Sequence, residues 1–560
     1  MNYLDLYHHW LRFDGLDSIL KEELQQIQEH ELEIQERFSQ SLSFGTAGIR
    51  GIIGAGTNRM NVYTVRKLAH GLGEWLHHEN LAEKGVAIGY DTRHCSVEFA
   101  GEVAKVLLHH GVKVYLFKQI CPSPELSFAV RYHEAAAGIM VTASHNPPNY
   151  NGIKVYGADG AQISPHITNQ ILENISRISD EFMIPVADLS EAEASGSLVW
   201  LGSEIDQTYY KNIASLAFQT NDQNKYFRIV YSPLHGTGRL PIESVLSQRG
   251  FEHVFVVPEQ ADPDPNFSTV KSPNPEDPAS FQLAIAYANE QQADLVLVTD
   301  PDADRIGIAI RDENNQFVHL TGNQIGALLL YYLLSQRLER GELPSNGAMV
   351  KSIVSSDLGE SIASHFGVKT QNTLTGFRYI GEFIQKWKQT GEYKFLFGYE
   401  ESYGYLIGDF CRDKDATQAC LLLAELGAYY QKQGMPIHQV LDTIYKEFGY
   451  FQETQISVTL EGLEGSKQLK EIMIRTRSNP PSHVAGIAVC SIQDYLQGVE
   501  GFPKADVLKY LLEDGSWFAI RPSGTEPKMK CYVGVKGSSS TKAEEKKIAI
   551  KEYLADWLGF

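Results

Sequence analysis

Residues 85–117, GVAIGYDTRHCSVEFAGEVAKVLLHHGVKVYLF, decide the fold of this chain. Two short apolar runs, GVAIGYD and VKVYLF, flank a segment whose apolar residues recur at helical spacing. A strand, a helix and a second strand form the unit of a parallel sheet that is covered by helices. The run AAGIMVTA at 136–143 predicts a third strand, which leads into the polar stretch TASHNPPNYNGIKVYG at 142–157. We therefore predict an α/β domain with polar loops at the carboxyl ends of its strands.

The same alternation of strands and helices recurs further along the chain. It returns with FRIVYSPLHGTG (227–238) and ADLVLVTD (293–300), and again with GAMVKSIVSSD (347–357) and YKFLFGYEES (393–402). Residues 3–40 predict a helical lead-in on the surface, whereas the stretch from about 452 onward lacks this alternation. We predict three similar α/β domains with mixed or parallel sheets, over 1–215, 216–325 and 326–450, and a C-terminal α+β domain over 451–560.

Composition narrows the classes of function. The net charge of −20 over 560 residues argues against nonspecific binding of nucleic acid or of an anionic membrane. An anionic substrate would need a local basic pocket. The six cysteines form no CxxC pair, and the N-terminus lacks the pattern of a signal peptide. The apolar run IGALLLYYLL at 325–334 is too short to cross a bilayer. We therefore expect a cytoplasmic protein.

The stretch VTDPDADRIGIAI at 298–310 carries three alternating aspartates directly after an apolar run. Carboxylates at Asp300, Asp302 and Asp304 repel one another unless a cation lies among them, and hard oxygen ligands suit Mg²⁺ or Ca²⁺. An EF-hand is excluded, because its sixth and twelfth positions would be Arg305 and Arg311 instead of Gly and Glu. We predict a divalent metal site, with an acidic turn that binds no metal as the alternative.

Three further loops and one serine are candidates for binding or catalysis. IRPSGTEPK (520–528) offers a guanidinium, two hydroxyls and backbone N–H groups, a set that suits a phosphate. GYEESYGY (398–405) could bind sugar hydroxyls, and FGTAGIRG (44–51) presents Arg50 from a glycine-rich turn. Each loop could equally be an ordinary connection on the surface. Ser144 lies outside any GxSxG elbow, but a phosphorylated serine could supply an oxygen ligand to the metal.

The combination of TASHNPP, DPDADR, GYEES and RPSGTEPK, in this order, resembles the α-D-phosphohexomutases over essentially the whole chain. The lead-in and the stretch GYEESYGYLIGDFCRDKDA (398–416) are most similar to the bacterial α-phosphoglucomutases of that family. The resemblance implies four domains around a central cleft, each contributing one loop. In TGFRY (375–379), Arg378 stands where animal relatives carry lysine.

The resemblance also implies roles for individual residues. Ser144 would carry the phosphoryl group, and one of its oxygens would complete a Mg²⁺ site with Asp300, Asp302 and Asp304. The catalytic groups around it would be Arg50, His145 and Lys154. The implied substrate contacts are Thr375, Gly376, Arg378, Glu400, Ser402, Lys414 and Arg305. The phosphate clamp would consist of Arg521, Ser523, Gly524 and Thr525.

The implied reaction interconverts glucose 1-phosphate and glucose 6-phosphate through a phosphoserine and a glucose 1,6-bisphosphate intermediate, which also serves as activator. The implied general base, which would deprotonate the attacking hydroxyl, is His145 or Lys154. Alternatives are a phosphomannomutase or phosphopentomutase of the same family, a Mg²⁺-dependent phosphatase with an aspartate nucleophile, and a noncatalytic protein that binds phosphosugars. A phosphosugar is the expected partner, and the chain is expected to be a monomer or a weak homo-oligomer.

Overall fold

A computed structural model describes residues 2–43, 48–460, 462–522 and 528–559. The chain divides into two compact units. The first comprises residues 1–309 and 408–425, and the second comprises residues 310–407 and 426–560. Each unit is described below by itself.

Three helices at the N-terminus share a small core with Tyr63 and Phe182: α1 (Tyr3–Arg12), α2 (Ser18–Gln26) and α3 (Glu31–Phe38). Trp10 and Phe38 are buried in it, with ring centroids 5.7 Å apart. The indole of Trp10 also donates a hydrogen bond to Glu181 Oε1 at 2.8 Å. The predicted surface helices are therefore confirmed, and aromatic residues at helical spacing bury one face of the lead-in.

The first sheet has six strands in the order β1-β5-β4-β2-β3-β6. Strands β4, β2, β3 and β6 run parallel, while β5 is antiparallel to both β4 and β1. The strands are β1 (Gly48–Ile52), β2 (Val86–Tyr90), β3 (Val114–Phe117), β4 (Ala137–Val141), β5 (Tyr150–Gly157) and β6 (Leu198–Leu201). The helices of this region are α4 (Val62–His78), α5 (Ser96–His109), α6 (Ser123–Tyr132), α7 (Pro165–Ser176), α8 (Leu189–Ser195) and α9 (Ser203–Ala214). Every residue of β2 is buried, as expected for a strand that helices cover on both faces.

The second sheet has five strands in the order β11-β10-β9-β7-β8, and β7 runs parallel to both β8 and β9. Its strands are β7 (Arg228–Ser232), β8 (His253–Val256), β9 (Leu295–Thr299), β10 (Ile306–Arg311) and β11 (Phe317–His319). The helices near it in sequence are α10 (Asn221–Asn224), α11 (Arg239–Gln248) and α12 (Gln282–Glu290). The acidic stretch at 300–305 therefore links the buried strand β9 to β10.

The third sheet has four strands in the order β13-β12-β14-β15, in which only β15 is antiparallel to its neighbour. The strands are β12 (Gly347–Ser352), β13 (Lys369–Thr373), β14 (Lys394–Glu400) and β15 (Gly404–Leu406). The helices are α13 (Gly322–Glu339), α14 (Asp357–His365), α15 (Phe377–Thr390), α16 (Ala416–Lys432) and α17 (Ile437–Phe448). The apolar run IGALLLYYLL lies within α13 and is buried over most of its length.

The fourth sheet is antiparallel throughout and has six strands in the order β16-β21-β20-β19-β18-β17. Its strands are β16 (Tyr450–Thr459), β17 (His483–Val484), β18 (Ile487–Asp494), β19 (Leu508–Leu512), β20 (Trp517–Pro522) and β21 (Lys528–Gly537). The helices are α18 (Gly462–Ser478) and α19 (Ser540–Leu558), and α19 contributes Ile550 and Leu554 to the core of this sheet.

The predicted fold class is confirmed: three α/β sheets with parallel strands precede an antiparallel α+β region. The predicted domain boundaries near 215, 325 and 450 stay a prediction. Among the described residues, no helix combines the length and the apolar character that crossing a bilayer requires.

Candidate active site

Ser144 lies in the loop between β4 and β5 of the first unit and is buried. Its backbone has a φ of +51°, a left-handed conformation that costs energy for a residue with a side chain. Its N–H donates to Thr142 Oγ1 at 2.8 Å, and its hydroxyl donates to Asp300 Oδ2 at 2.8 Å. The loop thus holds the hydroxyl against the acidic stretch that follows β9.

Arg93 binds the backbone of this loop, although the sequence analysis did not name it as a candidate. Its guanidinium donates to the carbonyl oxygens of Ser144 and Asn146, both at 2.5 Å, and to those of Pro147 at 2.8 Å and Tyr150 at 3.1 Å. Arg93 is itself buried, and burial lowers its pKa to about 10. Four hydrogen bonds from one rigid group fix the path of the backbone around the serine.

The three aspartates of the acidic loop converge as the sequence predicts. One carboxylate oxygen from each of Asp300, Asp302 and Asp304 lies within 4.8 Å of the others, and all three side chains are buried. Asp300 Oδ1 accepts hydrogen bonds from the N–H groups of Asp304 at 3.2 Å and Arg305 at 3.0 Å. Burial, followed by the charges of Asp302 and Asp304, raises the pKa of Asp300 well above its ordinary value.

Two ammonium groups balance part of this negative charge. Lys154 Nζ on β5 donates to Asp302 Oδ2 at 2.6 Å and to Asp304 Oδ2 at 2.7 Å. Lys414 Nζ lies 3.0 Å from the same Asp304 oxygen and 3.1 Å from Asp413 Oδ1. Burial lowers the pKa of Lys154, but Asp302 and Asp304 outweigh it, so that the pKa is raised overall. Lys414, which the resemblance makes a substrate contact, thus lies against the acidic loop.

The acidic loop can hold a divalent cation. Within the part of the chain that the structure describes, Asp302 Oδ1 and Asp304 Oδ1 are buried and accept no hydrogen bond. A buried carboxylate oxygen without a hydrogen bond is costly, and a hard cation is the ligand that compensates for it. The donor set consists only of oxygen atoms, as the sequence analysis expects for Mg²⁺ or Ca²⁺.

The other candidates in the first unit lie around the serine. Arg50 on β1 is paired with Gly152 on β5, and its guanidinium donates to Asn146 Oδ1 at 2.7 Å. His145 Nδ1 lies 3.2 Å from Ser144 Oγ. Arg305 donates to Glu276 Oε1 at 2.6 Å. The structure therefore places all the catalytic candidates named from the sequence within or beside the serine loop and the acidic loop.

Ser123, the first residue of α6, is a second residue that sequence reasoning missed. Its N–H donates to the carbonyl oxygen of Asp302 at 2.9 Å, and its hydroxyl donates to Asp302 Oδ2 at 2.5 Å. The start of α6 thereby positions the middle aspartate of the acidic loop. The only signal in the sequence was a serine followed by proline, which is typical of a helix start.

In the second unit, the GYEES and TGFRY loops meet. Glu400, at the end of β14, accepts a hydrogen bond from the N–H of Gly376 at 2.6 Å. Gly376 has a φ of +121° and lies between Thr375 and α15, while Ser402 follows Glu400 in the turn before β15. Arg378 packs over the ring of Tyr379 and donates to its hydroxyl at 2.7 Å. The substrate contacts that the resemblance implies here thus belong to neighbouring loops.

Arg521 lies at the end of β20 in the same unit and donates to the hydroxyl of Tyr532 at 3.1 Å. Burial lowers its pKa, but Tyr532, Glu401 and Glu400 outweigh it, so that the pKa is raised overall. The charges of Glu400 and Glu401 in the GYEES loop therefore act on the guanidinium of Arg521. The other members of the predicted clamp, Ser523, Gly524 and Thr525, lie outside the described residues.

Four family models match successive parts of the chain. Domains I, II and III of phosphoglucomutase/phosphomannomutase, each described as alpha/beta/alpha, match residues 41–182, 207–314 and 321–448. The C-terminal domain of the same family matches residues 477–551.

Similar proteins carry names from this family. A phosphoglucomutase of Staphylococcus epidermidis is 40% identical over 539 residues, which cover 94% of this chain and 96% of that protein. A phosphoglucomutase of Staphylococcus aureus is 40% identical over 93% of this chain and 94% of its own length. The fold resembles parafusin, a phosphoglucomutase from Paramecium, with a TM-score of 0.69 at 18% identity over 93% of this chain and 97% of that one. A family member from Burkholderia thailandensis gives a TM-score of 0.67 at 18% identity over 92% and 97%. This chain belongs to the phosphoglucomutase/phosphomannomutase family.

Proposed function

We propose that this chain is a phosphoglucomutase, an isomerase that interconverts glucose 1-phosphate and glucose 6-phosphate. Membership of the family and relatives of that name at 40% identity over nearly the whole chain support this activity. The observation that carries the chemistry is the hydroxyl of Ser144, which lies 2.8 Å from Asp300 of the acidic loop.

Ser144 is proposed to carry the phosphoryl group between the two positions of the sugar. In the first half-reaction, the bond between phosphorus and Ser144 Oγ breaks and a bond to the free sugar hydroxyl forms, which yields glucose 1,6-bisphosphate. In the second, the other phosphoryl group of the reoriented bisphosphate returns to Ser144. Such transfers depend on in-line positioning and charge stabilisation. The φ of +51° and the four hydrogen bonds from Arg93 support a fixed orientation for Ser144.

Mg²⁺ is the proposed cofactor, held by Asp300, Asp302, Asp304 and an oxygen of the phosphorylated Ser144. When bound, it would neutralise negative charge on the phosphoryl group. The chain itself brings further positive charge to this place through Lys154 and the other basic groups around the acidic loop, Lys414 and Arg305. These cations already pair with carboxylates of the acidic loop, so a divalent cation held there would supply the further positive charge that an anionic substrate needs.

The proton of the attacking hydroxyl must go to a base beside the serine loop. His145 Nδ1 lies 3.2 Å from Ser144 Oγ and is the better placed of the two candidates. Lys154 Nζ donates to the acidic loop, where burial lowers its pKa but Asp302 and Asp304 raise it overall, so it would have to lose a proton before it could act as the base. A pH–rate profile separates them, because replacement of the base by His145→Gln or Lys154→Gln removes the limb that the base contributes. Arg50 is proposed to orient the serine loop through Asn146.

The second unit is proposed to bind the sugar and its nonreacting phosphate. Glu400 and Ser402 would bind sugar hydroxyls, with Thr375, Gly376 and Arg378 on the neighbouring loop. Arg521, Ser523, Gly524 and Thr525 would bind the phosphate. The hydrogen bond between Gly376 and Glu400 and the electrostatic effect of Glu400 on Arg521 support a shared site in this unit.

Three broader proposals accompany this function. Glucose 1,6-bisphosphate would act as activator by restoring phosphoserine. The domain boundaries near 215, 325 and 450 are proposed as the divisions between the four family domains. The chain is proposed to act in the cytoplasm as a monomer or weak homo-oligomer on a free phosphosugar.

The test compares rates on glucose, mannose and ribose 1-phosphates, each with its own bisphosphate in catalytic amount and with Mg²⁺. We expect the highest kcat/KM with glucose 1-phosphate, and no turnover of any substrate by Ser144→Ala. A higher kcat/KM with mannose or ribose 1-phosphate would reassign the sugar. Release of inorganic phosphate in place of the isomer would contradict the mutase itself and favour a phosphatase.

A further inference from the structure

A cluster of histidines lies in the first unit, away from the serine loop in sequence and outside the machinery described above. His70, Glu74 and His77 occupy α4 at spacings of four and three residues, so that they share one face of the helix. His110 follows directly after α5. The ring of His110 lies against that of His70, with centroids 4.8 Å apart.

The ligand atoms of this cluster converge. His110 Nε2 lies 3.0 Å from His70 Nδ1, and His110 Nδ1 lies 3.5 Å from Glu74 Oε1. One such atom from each of His70, Glu74 and His110 lies within 4.8 Å of the other two. Two ligands bound to one Zn²⁺ at about 2.1 Å are at most about 4.2 Å apart. Because His110 faces His70 and Glu74 with different ring nitrogens and can bind one ion through only one of them, the side chains must move closer than 4.8 Å to hold a single ion.

Two features hold the ring of His110 against α4. A Cβ atom at position 73 would lie 2.8 and 2.9 Å from two carbon atoms of the His110 ring, so that only glycine lets the ring approach α4 this closely. His77 Nε2 also donates a hydrogen bond to the carbonyl oxygen of His110. Glycine is less favourable than alanine inside a helix, and the close approach of His110 is what this glycine permits.

The cluster offers different ligands from those of the acidic loop. Two imidazoles and a carboxylate suit Zn²⁺ and similar divalent transition ions, whereas the three aspartates suit a hard cation such as Mg²⁺. Beside the cluster, His70 and Glu74 line a cavity of about 230 Å³, which leaves room for a water molecule or another small ligand on the ion.

We propose that His70, Glu74 and His110 form a second metal site, which binds Zn²⁺ or a divalent transition ion with the same preference for imidazole. Such an ion would link α4 to the end of α5. The site does not depend on the proposed mutase activity. The competing explanation is a hydrogen bond between the two imidazoles without any metal, and the experiment distinguishes the two.

The test uses the full chain, stripped of metal and then saturated with Mg²⁺ so that the acidic loop is occupied. Titration with Zn²⁺ is followed by calorimetry, and titration with Co²⁺ by its visible absorption. We expect one equivalent of Zn²⁺ to bind, with an affinity that falls at least about tenfold in His70→Gln and in His110→Gln. His78→Gln is the matched control, because this residue is on the same helix but its side chain is 81% exposed and outside the cluster. It should bind as the unchanged chain does.

A further variant, Gly73→Ala, keeps every ligand and displaces the His110 ring, so that it too should weaken Zn²⁺ binding. Circular dichroism in the absence of Zn²⁺ checks that each variant is folded. The proposal is overturned if the unchanged chain binds no Zn²⁺ in the presence of Mg²⁺. It is equally overturned if both folded histidine variants bind Zn²⁺ as tightly as His78→Gln does, or if Asp302→Asn alone abolishes the binding.

Discussion

Lys154 is expected to stabilise the acidic loop whenever no divalent cation is bound. Its ammonium group lies 2.6 Å from Asp302 Oδ2 and 2.7 Å from Asp304 Oδ2, and both aspartates are buried. The change Lys154→Met removes the charge and keeps a flexible side chain of similar length. It leaves three buried carboxylates, with Lys414 and Arg305 among the cations that still lie beside them.

The loss of stability expected in Lys154→Met follows from the burial of Lys154 and of the aspartates with which it pairs. Two opposite unit charges 4 Å apart attract by about 4 kcal/mol at an effective dielectric constant of about 20, and the desolvation of both groups offsets much of this. Removing one member of a buried pair costs about 3–5 kcal/mol, because the other charge is left uncompensated. We therefore expect the free energy of unfolding at pH 7 to fall by about 3–5 kcal/mol when EDTA is present.

The assay is urea denaturation, followed by tryptophan fluorescence, with EDTA and with excess Mg²⁺. Because a bound divalent ion supplies the missing positive charge, Mg²⁺ should reduce the loss in free energy of unfolding that Lys154→Met causes. Lys118→Met removes an exposed lysine and serves as the control, with an expected change within about 0.5 kcal/mol. A loss below about 1 kcal/mol, which is the range of exposed ion pairs, would refute the reasoning, as would a deficit that Mg²⁺ leaves unchanged.

Three other changes test separate parts of the account. In Arg93→Lys, the ammonium group cannot reproduce the fork of hydrogen bonds to the loop of Ser144. We therefore expect kcat to fall by about 10²-fold in steady-state assays, with little change in KM. An unchanged kcat would contradict the role of Arg93 in positioning the loop. Burial, followed by Asp206, raises the pKa of Glu125 well above its ordinary value. The folded chain then binds the extra proton, and its stability falls as the pH rises above about 4.5. In urea denaturation, Glu125→Gln should therefore be more stable than the unchanged chain at pH 8, with a smaller gain at pH 5. Equal stabilities at pH 8 would count against a raised pKa of Glu125. Arg521→Ala should raise KM strongly and still allow phosphorylation of Ser144, and a normal KM would remove the residue from the phosphate clamp.

The sequence predicted those parts of the fold that depend on local pattern. The strand β2 and the helix α5 correspond to the runs GVAIGYD and VEFAGEVAKVLLHHG because apolar periodicity reflects burial directly. Asp300, Asp302 and Asp304 were identified for the same reason, since their alternation within five residues is visible without any tertiary information.

Contacts between distant parts of the chain could not be predicted. Arg93 is 51 residues from Ser144, and Ser123 is 179 residues from Asp302. Neither stands in a motif. Arg93 and Ser144 follow the parallel strands β2 and β4 of one sheet, whereas Ser123 and Asp302 follow strands of two different sheets, so that only the tertiary fold brings each pair together. The path of the serine loop depends on the guanidinium of Arg93, which no local pattern reveals. The core of the N-terminal helices was missed because Trp10 reaches Glu181, which lies far along the chain.

The most direct test of the central claim is the mass of the peptide that contains Ser144, before and after incubation of the chain with glucose 1,6-bisphosphate and Mg²⁺. The account predicts an acid-stable phosphoester on Ser144 that glucose 1-phosphate removes, with glucose 1,6-bisphosphate as the product. An unmodified Ser144 in a chain that turns over glucose 1-phosphate, or an acid-labile phosphate on Asp300, would contradict it.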